Sequence, residues 1–231
     1  MGKRIAIVQS NYIPWKGYFD MINAVDEFVL YDDAQYTKRD WRNRNKIKTA
    51  QGPQWLTVPV EVKGKYFQKI RDTRIADPKW AAKHWNTILL NYKKAPAFAE
   101  VRDWLEPIYR EREWGYLSEL NFALIAAVNA YLGIDTKLSW SSDYSLPGGP
   151  TENLLAVCQQ AGASAYLSGP RAKDYMQLDV FAAAGISVEW MGYDGYPEYA
   201  QFHPPFEHGV SVIDLLMQTG KQAVQSMNSF N

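Results

Sequence analysis

Two stretches of the sequence combine residue types that could bind or act on an anion. The longer is Asp32-Asp33-Ala34-Gln35-Tyr36-Thr37-Lys38-Arg39-Asp40-Trp41-Arg42-Asn43-Arg44-Asn45-Lys46. Paired carboxylates at the end of an apolar run suit general-base work, ribose binding or a divalent cation. Closely spaced arginines suit bidentate contacts with phosphate. A charge run is usually only a solvated loop, but Tyr36, Trp41, Asn43 and Asn45 interleave this one and shift the balance toward a site. The expectation is that Lys38, Arg39, Arg42 and Arg44, with Asn43 among them, bind and orient a phosphate. Asp33, with Asp32 beside it, removes a proton from an attacking amine or hydroxyl.

The shorter stretch, Asn11-Tyr12-Ile13-Pro14-Trp15-Lys16-Gly17-Tyr18, follows the apolar run Ile5 to Gln9. A turn from strand to helix presents free backbone amides and the positive end of a helix dipole to an anion. Lys16 adds charge, and Gly17 lets a ligand approach the backbone. Gln9, Tyr12, Trp15 and Tyr18 belong to the same expected mouth. A third turn, Ser168-Gly169-Pro170-Arg171 with Asp174 and Tyr175 close behind, offers a hydroxyl, two amides and a guanidinium. His84 is the second candidate base, although Trp80, His84 and Ile88 share one helical face and a packed histidine fits as well. His203 and His208 lack a third ligand, and no metal site is expected.

The elements that must position these residues are legible from periodicity. Ile5 to Gln9 and Phe28 to Tyr31 read as buried strands flanking a helix over Pro14 to Asp26, a β-α-β unit whose strands should be parallel. Both polar exits then open at one sheet edge, where open α/β folds bind ligands. Lys38 to Lys48 reads as extended chain with its cations on one face, paired through the Gln51-Gly52-Pro53 turn with a strand over Trp55 to Val60. Ile70 to Ile75 reads as a short strand. Pro78 to Lys94, Pro96 to Arg112 and Leu117 to Leu132 are amphipathic helices forming an insert at about residues 77–134. The α/β rhythm then returns. Thr151 caps a helix over Glu152 to Ala161, Ala165 to Ser168 and Ile186 to Trp190 are strands, and Val180 to Ala184 is a short helix. Ser211 opens a last helix over Val212 to Gln218, with Asp214 read as its capping partner.

Trp15, Lys16, Gly17 and Tyr18 stand where the nucleotidylyltransferase His-x-Gly-His signature would place its residues, but both histidines are missing. That similarity supports a related fold more than its chemistry. Together with Asp32 to Lys46 and Trp55-Leu56-Thr57-Val58-Pro59-Val60, the stretch resembles the WbqC-like family. So do Tyr166 to Pro170, Asp174-Tyr175, Phe181, Gly185-Ile186, Tyr199, Gln201 and Ser211 to Leu216, in the same order. The resemblance implies a role in O-antigen or related glycan biosynthesis, as a transferase that decorates an amino sugar. The expected architecture is a single α/β domain over residues 1–231. Its core is a parallel-sheet, Rossmann-like (nucleotidylyltransferase-like) fold, with a β-hairpin and the helical insertion.

Composition narrows the function classes. The 231 residues are 47% hydrophobic and 22% charged, with equal numbers of acids and bases, so no global field draws the surface toward nucleic acid or an anionic membrane. Nucleic acid is not the expected partner on this ground. The single cysteine, Cys158, excludes an intrachain disulfide framework. No signal-peptide core or membrane span is legible, and cytoplasm is the expected compartment. Nine Trp and fifteen Tyr supply flat faces suited to sugars or bases. No P-loop, dinucleotide fingerprint or Ser-His-Asp order is present, and no cofactor is indicated. The expected ligand is a small anionic substrate, a nucleotide-sugar for preference. The alternative is a non-catalytic nucleotide- or glycan-binding subunit of a biosynthetic complex.

Overall fold

A computed structural model describes residues 2–174 and 176–230. Five strands form one sheet: β1 (Lys3–Val8), β2 (Glu27–Leu30), β5 (Lys137–Trp140), β6 (Ala163–Ser168) and β7 (Ser187–Trp190). Their order across the sheet is β5-β2-β1-β6-β7, and all four pairings are parallel. Numbered as sheet strands in chain order, this is 3-2-1-4-5, the Rossmann order without its sixth strand. The architecture is α/β with a Rossmann-like core. The chain runs outward from β1 on one side, then returns to begin again at β6 on the other. The order therefore reverses between β1 and β6, at the centre of the sheet.

Alternation along the strands splits the core into two layers. Ile5, Ile7, Val29 and Tyr166 face one side, where they meet Val157 and Cys158 of α5 (Pro150–Gln160) and Phe181 of α6 (Leu178–Ala183). Ala6, Phe28, Leu30 and Leu167 face the other, against α1 (Lys16–Asn23) and α7 (Val212–Thr219). The period of two is why both faces are apolar although each strand is short. Phe28 and Leu30 are fully buried, each contributing about 1.5–3 kcal/mol by leaving water. At the opposite edge from the polar exits, buried Glu27 receives Lys3, Lys137, Ser139 and Tyr144, tying together the starts of β1, β2 and β5.

The hairpin stands apart from this sheet, as β3 (Arg44–Thr49) and β4 (Gly52–Thr57). Its first strand begins at Arg44; residues 38–43 are a loop. Asn45 and Ile47 turn inward, as the parity predicted. Arg44 and Lys46 lie over the ring of Trp55, and Lys48 is buried, donating to the Pro205 carbonyl. Helices α2 (Trp80–Tyr92), α3 (Phe98–Arg110) and α4 (Leu117–Leu132) follow and share the apolar cluster that holds α1 and α7.

Four details depart from the sequence reading. The helix expected from Glu152 begins at Pro150 with Gly149 at its N-cap, so Thr151 lies inside it and does not cap it. Ile70 to Ile75 is turns and single bridges rather than a strand, because its neighbours are the isolated partners Val60 and Tyr116. The edge strand β5 carries no hydrophobic run that announces it; Lys137-Leu138-Ser139-Trp140 pairs with β2 through the backbone. Asp214 is not a capping partner. Ser211 Oγ alone accepts from the Ile213 amide, while buried Asp214 accepts from Tyr92, Tyr199 and Gln201.

Candidate functional site

A cavity of about 920 Å³ opens at the strand-order reversal, lined by the exits of β1 (Val8, Gln9, Asn11) and β6 (Ser168, Gly169, Pro170, Arg171). Trp15 stands at the N-cap of α1 and Tyr18 comes from its first turn, Gly149, Pro150 and Asn153 from the start of α5, and Tyr31 from just after β2. Such a place at the carboxyl ends of parallel strands is where open α/β sheets take ligands, and the volume is within the roughly 300–1,000 Å³ of small-molecule sites. Trp41, Asn45 and Tyr193 complete much of the wall.

Aromatic faces dominate that wall. Trp15 packs on Tyr193 at 5.2 Å and edge-on to Tyr196 at 5.8 Å, while Trp41 leans on Trp55 at 5.4 Å. Gly17 is required by Trp15. A Cβ at position 17 would fall 2.4 Å from the indole Cζ2, so any side chain there would push the ring from its place. The polar lining is mostly neutral. The Gln9 amide and the Arg171 guanidinium have no partner among the described residues, whereas Asn153 is oriented by the Tyr31 hydroxyl and the Gly148 amide. Among the described residues Arg171 is the one charged residue of the lining, which contains no Asp, Glu, His, Lys or Cys.

The loop between β1 and α1 is held under strain. Ile13, β-branched and buried, has φ +37°, a region such residues rarely adopt and one that costs of order 1–3 kcal/mol. Asn45 stabilises it from the hairpin, its Nδ2 donating to the carbonyls of Ile13 at 2.9 Å and Tyr12 at 3.3 Å. Arg42 closes the other side. Its Nη1 reaches Asn11 Oδ1 at 2.6 Å and the Gln9 and Ser10 carbonyls at 3.3 and 3.4 Å, so the guanidinium answers backbone acceptors at the end of β1. Asp32 fixes the same exit, accepting from the Ser10 amide at 2.8 Å and from the Ser118 hydroxyl; burial nevertheless raises its pKa. Asn43 bonds the Val58 carbonyl and Lys16 the Pro197 carbonyl, both as supports around the cavity rather than in its lining.

The structure thus brings Gln9, Trp15, Tyr18, Ser168, Gly169 and Arg171 together and sets Tyr12, Lys16, Gly17, Asp32, Arg42 and Asn43 around them. Others lie elsewhere. Lys38 lines a separate shallow hollow, Arg39 gives its carbonyl to Arg44, and Arg44 lies 4.1 Å over Trp55. Asp174 is exposed at the end of a short 3-10 turn, and Tyr175 lies outside the described residues. Asp33 is outside the lining, accepting from Lys69 at 2.7 Å and Ser141 at 2.8 Å, with Arg71 at 3.3 Å. Burial raises its pKa but these partners lower it further, which makes it a poor base. His84 is buried beneath the loop, and burial takes its pKa down to about 4. Its Nδ1 shares a hydrogen bond with the Tyr12 hydroxyl, which shares another with the Tyr109 hydroxyl, both at 2.7 Å.

Trp41, Asn45, Tyr31, Asn153 and Tyr193 were absent from the sequence-derived site. Trp41 and Asn45 carried a signal, as the aromatic and polar residues interleaved with the cations of the Asp32 to Lys46 stretch. Among the described residues no group of three or more His, Cys, Asp or Glu could hold a metal ion, and no helix is long and apolar enough to cross a membrane.

Against known proteins, the model of the WbqC-like protein family matches residues 9–226. An uncharacterized protein of Mycobacterium tuberculosis, Rv1507c, is 55% identical over 221 residues, which is 96% of this chain and 96% of that one. No solved structure matches.

Proposed function

The chain belongs to the WbqC-like protein family, and from that premise we propose that it is a transferase acting on an anionic, nucleotide-linked amino sugar or related substrate in bacterial O-antigen or surface-polysaccharide biosynthesis. The observation that carries the reading is the cavity at the β1/β6 reversal, with aromatic faces for a base or sugar ring and an unpartnered Arg171 for a phosphate. Gln9, Asn153 and Ser168 suit the hydroxyls of a sugar. Arg42 and Asn45 keep the first turn in place, and Asn43 fastens the hairpin through the Val58 carbonyl, as support for binding.

Binding of nucleotide-sugars, followed by the rise in melting temperature, tests this. Removing a charge-assisted contact of about 1.5–3 kcal/mol should weaken binding roughly 10- to 150-fold in Arg171→Ala. It should leave a neutral free sugar unaffected. If no nucleotide or nucleotide-sugar raises the melting temperature, the reading fails.

A second reading is favoured by one observation, the absence of any carboxylate, imidazole, amine or thiol among the described residues of the lining. A protein that binds a nucleotide or glycan for a partner enzyme needs no proton acceptor. Binding without turnover, in the presence of amine and hydroxyl acceptors, would select it. A transferase would turn over with the proton taken by the acceptor's own solvent or by a substrate phosphate.

A further inference from the structure

We propose that the loop carrying Tyr66 and Phe67 is a peripheral anchor that rests on an anionic phospholipid surface. Tyr66 is 73% and Phe67 83% exposed, adjacent in sequence and packed edge to face at 4.9 Å. Other exposed apolar side chains have a reason or stand singly: Trp41 and Trp55 lean on one another, and Leu90 and Leu178 are isolated along their helices.

The exposure is built into the fold. Gln35 donates to the Tyr66 carbonyl at 2.8 Å, Gln68 to the Glu61 carbonyl at 2.7 Å, and the Tyr36 amide to the Gln68 carbonyl at 2.9 Å. These bonds fasten both feet of the loop, so the two rings are held outward instead of folding back onto the apolar cluster. Ordering them in advance lowers the entropy cost of docking.

The charge around the tip fits the same occupant. Residues 61–69 hold three lysines against one glutamate, in a chain whose net charge is zero. Lys65 is shared with Glu61, and Lys69 with Asp33 at the base, but Lys63 and the neighbouring Lys38 have no ion-pair partner among the described residues. Lys38, Val62, Gly64, Lys65, Tyr66 and Phe67 edge one shallow hollow. Lysines ringing a protruding aromatic pair suit the headgroup layer, where a phenol and a phenyl ring sit at the boundary and ammonium groups meet phosphates. A single strand of nucleic acid would instead call for aromatic faces along a basic groove, whereas these two rings cover each other. The anchor is weak and reversible, as a small apolar insertion with few charges must be. From Lys38 the chain reaches Trp41, a wall of the main cavity, within about 10 Å. Docking would therefore bring the cavity close to membrane-borne acceptors.

Co-sedimentation with vesicles tests the proposal. The protein should pellet with vesicles of equal parts phosphatidylglycerol and phosphatidylcholine, not with phosphatidylcholine alone, and should be released by high salt. Tyr66→Ser/Phe67→Ser should lower partitioning at least about tenfold. Lys38→Gln/Lys63→Gln should lower it roughly 25-fold, about fivefold for each lysine. Both variants replace exposed side chains, and an unchanged melting temperature shows that they fold. No pelleting of the unaltered protein with the anionic vesicles overturns the proposal, as does equal pelleting of the Tyr66/Phe67 variant. Binding of a single-stranded oligonucleotide in place of vesicles, lost in the same variant, would give the patch to nucleic acid and equally overturn it.

Discussion

Replacing Glu27 with Gln removes one negative charge from the place where three strands begin, and the expected consequence can be worked out with its pH dependence. The carboxyl is fully buried. Burial alone would raise its pKa, but Lys3, Ser139, Tyr144 and Lys137 together bring it down to about 2 from the ordinary 4.5. That difference corresponds to roughly 3 kcal/mol of stability at neutral pH. Because the folded form keeps its charge to a lower pH than the unfolded form, the contribution is complete well above pH 4.5 and disappears as pH falls through about 2. Near pH 3 about 1.4 kcal/mol remains, so roughly 2 kcal/mol is lost between pH 7 and pH 3 from this group. Glu27→Gln retains an oxygen that can accept from Ser139 and Tyr144 but leaves Lys3 without its anion. Urea unfolding of both proteins across this range should show the variant about 2–3 kcal/mol less stable at neutral pH. The gap should then narrow by roughly 2 kcal/mol by pH 3. Parallel curves, with the gap unchanged by acid, would refute the account of Glu27.

Two further substitutions probe the cavity wall. Gly17→Ala gains about 1 kcal/mol of helix propensity but forces the Trp15 ring aside at a cost of roughly 1–3 kcal/mol. The expected result is a stability loss of at most about 2 kcal/mol, with a changed near-ultraviolet Trp signal and no thermal shift from nucleotide-sugars; an unaltered Trp signal would refute the close approach. Asn45→Ala removes both bonds that hold the Tyr12 and Ile13 carbonyls, and denaturant unfolding should show a loss of about 1–3 kcal/mol. Faster amide exchange in residues 11–15 should accompany it, and protection equal to the unaltered protein would show that the strain at Ile13 is balanced elsewhere.

Much of the sheet was legible because its strands are buried on both faces and therefore read as apolar runs: Ile5 to Val8, Phe28 to Leu30 and the segment ending at Ser168 all lie where periodicity put them. The edge strand β5 was not, since a strand paired on one side needs no such run. Within the cavity, Gln9, Trp15, Tyr18 and Arg171 could be found because they follow strand ends in the chain. Asn153 and Tyr193 come from segments that only folding brings to the same place, and no local spacing announces that. The cations were the least legible part. Parity places a side chain on one face of a strand, but it does not say whether an aromatic ring, a backbone carbonyl or solvent receives it. Arg44 met Trp55, Arg42 met the end of β1, and Lys48 was covered by the Pro205 segment.

The placing of β1 in the middle of the sheet bears on how the protein can be made. One flank of β1 is paired with β2 almost at once in the chain, but the other must wait for Ala163 to Leu167. While a ribosome adds those intervening residues, the nascent polypeptide presents an apolar strand with a row of unsatisfied amides and carbonyls, the usual template for unwanted intermolecular pairing. The ligand pocket shares that delay, for about a third of its lining lies in or beyond β6. Chains cut short before this strand should accumulate as insoluble material rather than as partially active fragments.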